Sequence, residues 1–359
     1  MKVLFITPHL STGGMPAFLL KRIQALQQYT DFEIYVAEWK FLSPHFIVQR
    51  DEIQKLVGEN FISCFGDEEI QNNIVDYCYE KKIDIIHIEE IPEGFGGGNI
   101  FHPDLQKELY KKTHPWKIIE SAHGMWFNPD ENKIHEPDGY ALVTNHHIKE
   151  TFKNRPALKS LIPFPIDTSI QSPQTRDEIL NEMGYLLKGE FHIINVGLWT
   201  PGKNQGYAIE IAKTLYEKYG FTYIFHFIGN QAGNFSDYWA PLMENLPPNI
   251  VVWGERNDTE RFFKMADLML FTSTWECNPI VLKEAISNNI KIMANNLDHY
   301  GEEYVPFINN LTGNVFEDKN KLIEIIHSPI KYTKHDIKNN VKKFAENHVN
   351  FYNTLLNGK

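Results

Sequence analysis

KVLFITPHLSTGGMPAFLLKRIQAL, residues 2–26, is the stretch that decides the fold. Its first six residues are a short apolar run of the kind buried on both faces of a parallel sheet. Ser11, Thr12, Gly13 and Gly14 interrupt that run, and an amphipathic helix then extends from Pro16 to about Gln28. Proline suits a first helical turn because its missing N–H would find no intrahelical partner there. Working outward, EIYVAE (33–38), IDIIHIEE (83–90), KIIESAH (117–123) and YALVTN (140–145) read as further buried strands, with helix-like stretches at 68–82 and 104–113. Alternating buried strands and helices mean a parallel sheet covered on both faces.

The texture changes over 161–190, where LIPFPIDTSIQSPQTRDE has linker composition. The pattern then restarts with FHIINVG (191–197), a helix over 204–219, YIFHFIG (223–229), NIVVWG (249–254), a helix over 258–266, DLMLFTS (267–273), a helix over 279–288 and KIMAN (291–295). The tail, 334–357, carries an apolar stripe at Ile337, Val341, Phe344, Val349 and Tyr352 with helical period. The expected fold class is α/β: two Rossmann-like βαβ domains facing across a cleft, 1–168 and 169–335, with ligands at the carboxyl ends of the strands.

Composition narrows the function. A chain of 359 residues has a prior of two domains, and 42% hydrophobic with 23% charged residues is a globular balance. Lys and Arg number 35 against 46 Asp and Glu, a net charge of −11, and no basic stripe is present, which argues against a nucleic-acid partner. The same excess opposes general attraction to an anionic membrane, although Lys107, Lys111 and Lys112 leave room for peripheral contact. The three cysteines, Cys64, Cys78 and Cys277, form neither a disulfide framework nor a zinc spacing and fit a reducing compartment. No apolar run approaches the length of a spanning helix, and VLFIT is too short for a signal peptide, so a cytoplasmic location is expected.

Three segments carry candidate chemistry. The Gly13–Gly14 turn lets backbone approach a ligand beside free helix amides, or is an ordinary βα turn. GLWTPGKN (197–204) nearly matches a P-loop, but Asn204 stands where a hydroxyl must bind magnesium. What survives is Lys203, a cation at a strand's carboxyl end beside a helix start, suited to a diphosphate. In TSTWECNPIVLKEAISNN (272–289), Glu276 ends a strand–loop segment, Pro279 is placed to start a helix, and Glu284 follows inside it. A carboxylate accepting from sugar hydroxyls next to free amides suits a nucleotide-sugar. Spacing alone equally allows a capping Glu276 and a helix-surface Glu284.

ECNPIVLKEA (276–285) resembles the E-x7-E element of retaining GT-B glycosyltransferases of family four. The likeness extends, in the family's order, through MKVLFITPHLSTGG, IIESAHG (118–124), ALVTN (141–145) with LIPFPIDTSI (161–170), NVGLWTPGKN (195–204) and FFKMADLMLFTSTWE (262–276), covering about 1–320. The resemblance implies that Lys203 clamps the donor diphosphate and Glu284 holds the ribose hydroxyls. It implies that Glu276, with the backbone at Asn278, Pro279 and Ile280, holds the donor sugar and phosphate. His123 would touch the donor sugar, Gly14 would sit close to the phosphates, and the helix within 336–359 would cross back onto the first domain. The chain departs from the pattern where Met15–Pro16 replaces the acidic residue that often follows the glycine loop, and at Leu198, where the family usually carries an arginine, so another cation is needed, with Arg256 and Arg155 as candidates.

The function expected from this resemblance is retaining transfer of a sugar from a nucleotide-diphospho-sugar, most simply a UDP-sugar, to a hydroxyl of a glycan, lipid or other acceptor. The chain contains no D-x-D, so Lys203 and helix amides would take the place of a metal on the diphosphate, and no metal or other cofactor is expected. The competing readings are a non-catalytic sugar-nucleotide or glycan binder, a nucleotide-sugar epimerase and a magnesium-dependent triphosphatase. His146–His147 is a poor metal pair because adjacent residues do not share a helix face. Cys277 reads as a small buried residue. The glycine-rich segment 91–104 is a candidate acceptor loop, and Trp39, Trp116 and Trp126 are candidate sugar-stacking residues or packed core.

Overall fold

Because helices cover both faces of these sheets, the strands keep no polar face, and the apolar runs become parallel strands. A computed structural model describes residues 1–11, 13–40, 49–64, 68–97, 99–124, 127–169, 171–185, 189–297, 306–330 and 339–358. They form two compact units: 1–164 together with 340–359, and 165–339.

The first unit contains β1 (Lys2–Thr7), α1 (Gly14–Tyr29), β2 (Glu33–Glu38), α2 (Arg50–Val57), β3 (Phe61–Ser63), α3 (Glu68–Asn72), α4 (Ile74–Lys81), β4 (Ile85–Ile88), α5 (Pro103–Leu109), β5 (Lys117–Ala122), α6 (Pro129–Asn132), β6 (Gly139–Leu142) and β7 (Leu158–Leu161). The second contains α7 (Arg176–Glu182), β8 (Phe191–Val196), α8 (Gln205–Tyr219), β9 (Tyr223–Ile228), α9 (Ser236–Met243), β10 (Ile250–Gly254), α10 (Thr259–Met265), β11 (Leu268–Phe271), α11 (Ile280–Ser287), β12 (Lys291–Ala294), β13 (Ile308–Asn310) and α12 (Val315–His327). The last helix, α13 (Val341–Asn357), belongs to the first unit.

The sheets run in the orders β3-β2-β1-β4-β5-β6-β7 and β10-β9-β8-β11-β12-β13, with every pairing parallel. Each is a doubly wound sheet whose order reverses at one point, between β1 and β4 in the first and between β8 and β11 in the second. Strand ends at such reversals splay their loops apart and leave room for a ligand.

The longer strands fall where the apolar runs place them. β3, β7 and β13 have no such signal: they are three or four residues long, mostly half-buried or exposed, and pair on one side of their sheet. Helix α1 starts at Gly14, two residues ahead of Pro16, and the residue that needs glycine is Gly13, at φ 132°. Trp39 and Trp116 are core residues of the first unit, and Trp126 lies outside the described residues. All three cysteines are buried thiols, none of them in a disulfide. His147 is buried with Nε2 3.1 Å from the Gly124 carbonyl, and among the described residues no cluster of His, Cys, Asp and Glu could hold a metal ion.

Candidate functional site

In the second unit the loops after β8 and β11 meet at the point of reversal. Gly229, which follows β9, packs a third turn against the one after β8. A Cβ on Gly229 would stand 1.9 Å from the Gly197 carbonyl oxygen, so only glycine allows the two turns to close together. The amide of Gly197 donates to Ile228, and that of Gly229 donates to Gly254, which gathers three strand ends. Beyond Gly197, Thr200 caps a 3₁₀ turn, Pro201–Lys203, and Asn204 takes a left-handed conformation (φ 50°) before α8 begins.

The loop after β11 is then bound to this turn. The amide of Thr274 donates to the Gly202 carbonyl (2.8 Å), and Thr272 Oγ1 donates to the Lys203 carbonyl (2.9 Å). Asn195 Nδ2 donates to Leu270 (2.8 Å), and Asn295 Nδ2 donates to both Thr272 and Ser273 (2.9 Å each). With both backbones fixed, the side chains of Lys203 and Glu276 form an ion pair. Lys203 keeps part of its side chain in solvent, 30% exposed, and its Nζ lies 5.7 Å from the centre of the Phe271 ring. Asn278 and Pro279 lead directly into α11, whose first turn carries no acidic side chain to repel an anion. Glu284 lies one turn along the same helix, half-buried. The arrangement is a cation, a carboxylate and a helix start on adjoining loops, groups able to bind an anion and to accept from hydroxyls.

The two candidate substitutes for an arginine at Leu198 are already engaged. Arg256 closes a two-pronged bond on Asp258 (2.8 and 2.7 Å), which pulls that carboxyl below its usual value, and it lies over Phe262. Arg155, in the first unit, pairs with Glu136 and donates to the Pro129 carbonyl. The Leu198 carbonyl accepts from Gln205 Nε2 (3.0 Å).

His123 and Gly14 belong to the first unit. Gly14 opens α1 directly after the β1 turn, and α1 has no acidic residue in its first turn. His123 follows β5 and is 12% exposed; its Nε2 is 3.1 Å from Glu89 Oε2, and Phe18 meets the ring edge-on at 5.0 Å. Glu89 follows β4 and is fully buried in an ion pair with the equally buried Arg22 of α1. Sequence reading does not find this pair. The only hint is that the buried strand IDIIHIEE ends in two carboxylates, which need a buried partner to be tolerable. Within the glycine-rich segment 91–104, Pro92–Gly97 form a 3₁₀ turn, and Gly98 lies outside the described residues. Glu93 accepts from the amides of Ile134 (3.1 Å) and His135 (3.3 Å), from Gln106 (3.0 Å) and from Lys133 (2.7 Å). Lys133 also reaches Glu120, whose carboxyl is pushed up to about 7 by burial, with the Lys133 charge opposing the rise.

Residues 183–344 match the family model described as "Glycosyl transferases group 1". The similarity to that family therefore covers just under half of the chain. The matched residues take in most of the second unit, where Lys203, Glu276 and Glu284 lie. Solved structures similar to the whole chain share its two Rossmann-like domains. One is HepE of Anabaena in complex with UDP, at a TM-score of 0.65 and 14% identity, covering 99% of this chain and 96% of that one. A glycosyltransferase from Rickettsia africae gives 0.69 at 13% identity, covering 99% of both chains. WaaG, a glycosyltransferase of lipopolysaccharide biosynthesis, gives 0.61 at 13% identity, covering 99% of this chain and 98% of that one. Among curated sequences the chain is 23% identical over 189 residues to an uncharacterized glycosyltransferase of Methanocaldococcus jannaschii, covering 52% of this chain and 45% of that protein. It is 27% identical over 154 residues to the UDP-Gal:alpha-D-GlcNAc-diphosphoundecaprenol alpha-1,3-galactosyltransferase of Escherichia coli, covering 42% and 40%. The chain therefore spans less than half the length of the curated relatives it matches. No helix among the described residues is long and apolar enough to cross a membrane.

Proposed function

We propose that this protein is a glycosyltransferase that moves a sugar, with retention of anomeric configuration, from a UDP-sugar to a hydroxyl of a glycan, lipid or other acceptor. The observation that carries the proposal is the Lys203–Glu276 pair beside the start of α11, within the residues similar to the glycosyl transferases group 1 family. Lys203 binds the diphosphate as a point charge, leaving Glu276 and the amides around Asn278, Pro279 and Ile280 to hold the sugar and its phosphate. Glu284 takes the ribose hydroxyls. His123 and Gly14 of the first unit act on the sugar and the phosphates, and that unit holds the acceptor. The UDP assignment draws support from HepE, whose complexes contain UDP and UDP-glucose, and from the E. coli relative, named for UDP-galactose and an α-1,3 linkage.

The chemistry follows from where charge develops. As the bond from the anomeric carbon to the diphosphate breaks, negative charge grows on the leaving oxygen, and Lys203 with the α11 amides stabilises it. The departing diphosphate accepts the proton of the attacking hydroxyl on the same face, so the new bond has the configuration of the old one. In this reading Lys203 and the α11 amides do the work of a metal on the diphosphate, and none is needed. Two measurements test the reading together: the anomeric configuration of the product by NMR, expected to match the donor, and turnover in excess chelator, expected to be unchanged. An inverted product or chelator-dead enzyme contradicts it.

A further inference from the structure

We propose that Glu89 is a positioning residue for His123: it holds the imidazole by its Nε2–H and so leaves Nδ1 as the ring's acceptor for a sugar or acceptor hydroxyl. The inference rests on the glycosyltransferase reading and adds a residue that the reading does not contain.

The argument is one of donors and acceptors. Glu89 is fully buried at the end of β4, and its amide bonds the Ile6 carbonyl of β1 (2.8 Å), which fixes its backbone at the point of reversal of the first sheet. One carboxylate oxygen takes Arg22 Nη1, and the other stands 3.1 Å from His123 Nε2. Burial pushes the Glu89 carboxyl up, but the Arg22 guanidinium and the His123 bond outweigh it and hold the group below its usual value. An ionised carboxylate only accepts, so Nε2 must carry the proton. In the neutral ring the bare nitrogen is then Nδ1.

Arg22 is held in turn. Its Nη2 donates to Ser121 Oγ (3.3 Å); Ser121 lies 2.9 Å from His87 Nε2, and His87 Nδ1 lies 2.6 Å from the Tyr352 hydroxyl on α13. His87 is kept neutral by burial and by the Arg22 charge. The chain of bonds therefore runs from α13 through β4, β5 and α1 to His123. Around His123 itself stand Glu89, Phe18 and Glu90, whose carboxyl is raised by burial and takes the His123 backbone N–H. A buried ion pair adds little stability over apolar packing, because desolvating both charges offsets their attraction. Orientation of His123 gives this pair a use that stability alone does not.

Substituting Glu89→Gln keeps the shape but changes the bonding. The amide oxygen goes to Arg22, an NH2 group faces His123, and the ring must turn or change tautomer. The test is a double-mutant cycle on initial rates with whichever nucleotide-sugar the wild type turns over. Glu89→Gln is expected to lower kcat by about tenfold or more with donor KM little changed, and to add less than about twofold in a His123→Ala background. The variant pair Arg22→Met/Glu89→Gln, which leaves no unpaired buried cation, should show the same loss and guards against a folding defect. Equal losses in both backgrounds overturn the proposal.

A second readout needs no turnover. The imidazole 15N spectrum of the wild-type chain is expected to place the His123 proton on Nε2, and a proton on Nδ1 overturns the proposal. Lys203→Ala separates the two levels. If it abolishes turnover while the Glu89 and His123 losses simply add, the glycosyltransferase reading stands and the positioning role falls. If the wild type turns over no nucleotide-sugar, the reading falls and the 15N spectrum alone decides the role of Glu89.

Discussion

At Gly229 a single missing methyl group decides whether two turns can meet. A Cβ there would collide with the Gly197 carbonyl at 1.9 Å, a backbone atom that cannot rotate away, and φ is 150°. Gly229→Ala is expected to cost at least about 3 kcal/mol and to lower the melting temperature of the protein by several degrees, read by circular dichroism. An unchanged melting curve would mean that the turn after β8 relaxes freely. Lys203 and Glu276 make a different kind of prediction, because each has a partner now and a ligand later. Lys203→Ala should reduce kcat/KM by about 10²-fold or more, the cost of removing one stabiliser of developing charge. Glu276→Gln frees the lysine. UDP should therefore bind it as well as or better than wild type, measured by calorimetry, while turnover of the UDP-sugar falls. Equal weakening of UDP and UDP-sugar would argue that Glu276 only holds Lys203 in place.

Among the elements, α13 shows why contiguous sequence is a poor guide to a site. Its stripe of Val341, Phe344 and Tyr352 is legible as a helix face, and Phe344 packs against Phe18 of α1 at 5.7 Å. That Tyr352 would meet His87, 265 residues away, has no trace in local spacing. Tyr352→Phe leaves His87 Nδ1 buried without its hydroxyl partner and should cost about 1–3 kcal/mol in denaturant unfolding. A loss under about 0.5 kcal/mol would show that the bond is not made in solution. The same contrast runs through the candidate site. The turn 197–204 and the segment 272–289 were readable because glycine, proline and a lone cation mark a ligand-facing turn within a few residues. The bonds that join them, from Thr272, Thr274, Asn195 and Asn295, involve residue types common in any loop. Only the parallel pairing of β8 with β11 gives those residues a meaning. Short edge strands escaped for the related reason that three residues cannot display a period.

For the whole molecule, both units respond to acid through buried histidines. His192 and His226 of the second unit are lowered to about 4 and about 3 by burial, helped by Arg176 for the first and by His192 for the second. Trp253 Nε1 donates to His226 Nδ1 (3.0 Å), so the neutral ring carries its proton on Nε2 and gives it to His192 Nδ1 (3.0 Å). Protonating either ring breaks this arrangement. In the first unit His9 is lowered to about 4, and His87 and His348 are held well below the usual value, in each case mainly by burial. A depressed folded-state value means that the stability is present above about pH 6.5, where the unfolded chain's histidines are also neutral. It is lost as pH falls toward 4, because the unfolded chain then binds protons that the folded chain refuses. Glu120, raised to about 7, and Glu90 and Glu190, also raised by burial, act in the opposite sense but are fewer than these five depressed histidines. The melting temperature should therefore fall steadily between pH 6.5 and 4.5, and a flat profile would contradict the buried neutral rings.

The two-unit α/β plan was visible in the sequence because buried parallel strands are nearly continuous apolar runs, and the runs stop and restart around the proline-rich segment at 161–190. The central claim, that the second unit is built to hold a nucleotide-diphospho-sugar through Lys203, is tested most directly by one assay. The full chain is incubated with UDP-, GDP- and ADP-sugars, with and without chelator, and released nucleoside diphosphate is measured beside Lys203→Ala and Glu284→Ala. The expected result is chelator-resistant release from a UDP-sugar that both substitutions abolish. Release that survives Lys203→Ala, or no binding of any nucleotide-sugar to the wild-type chain, would contradict the account.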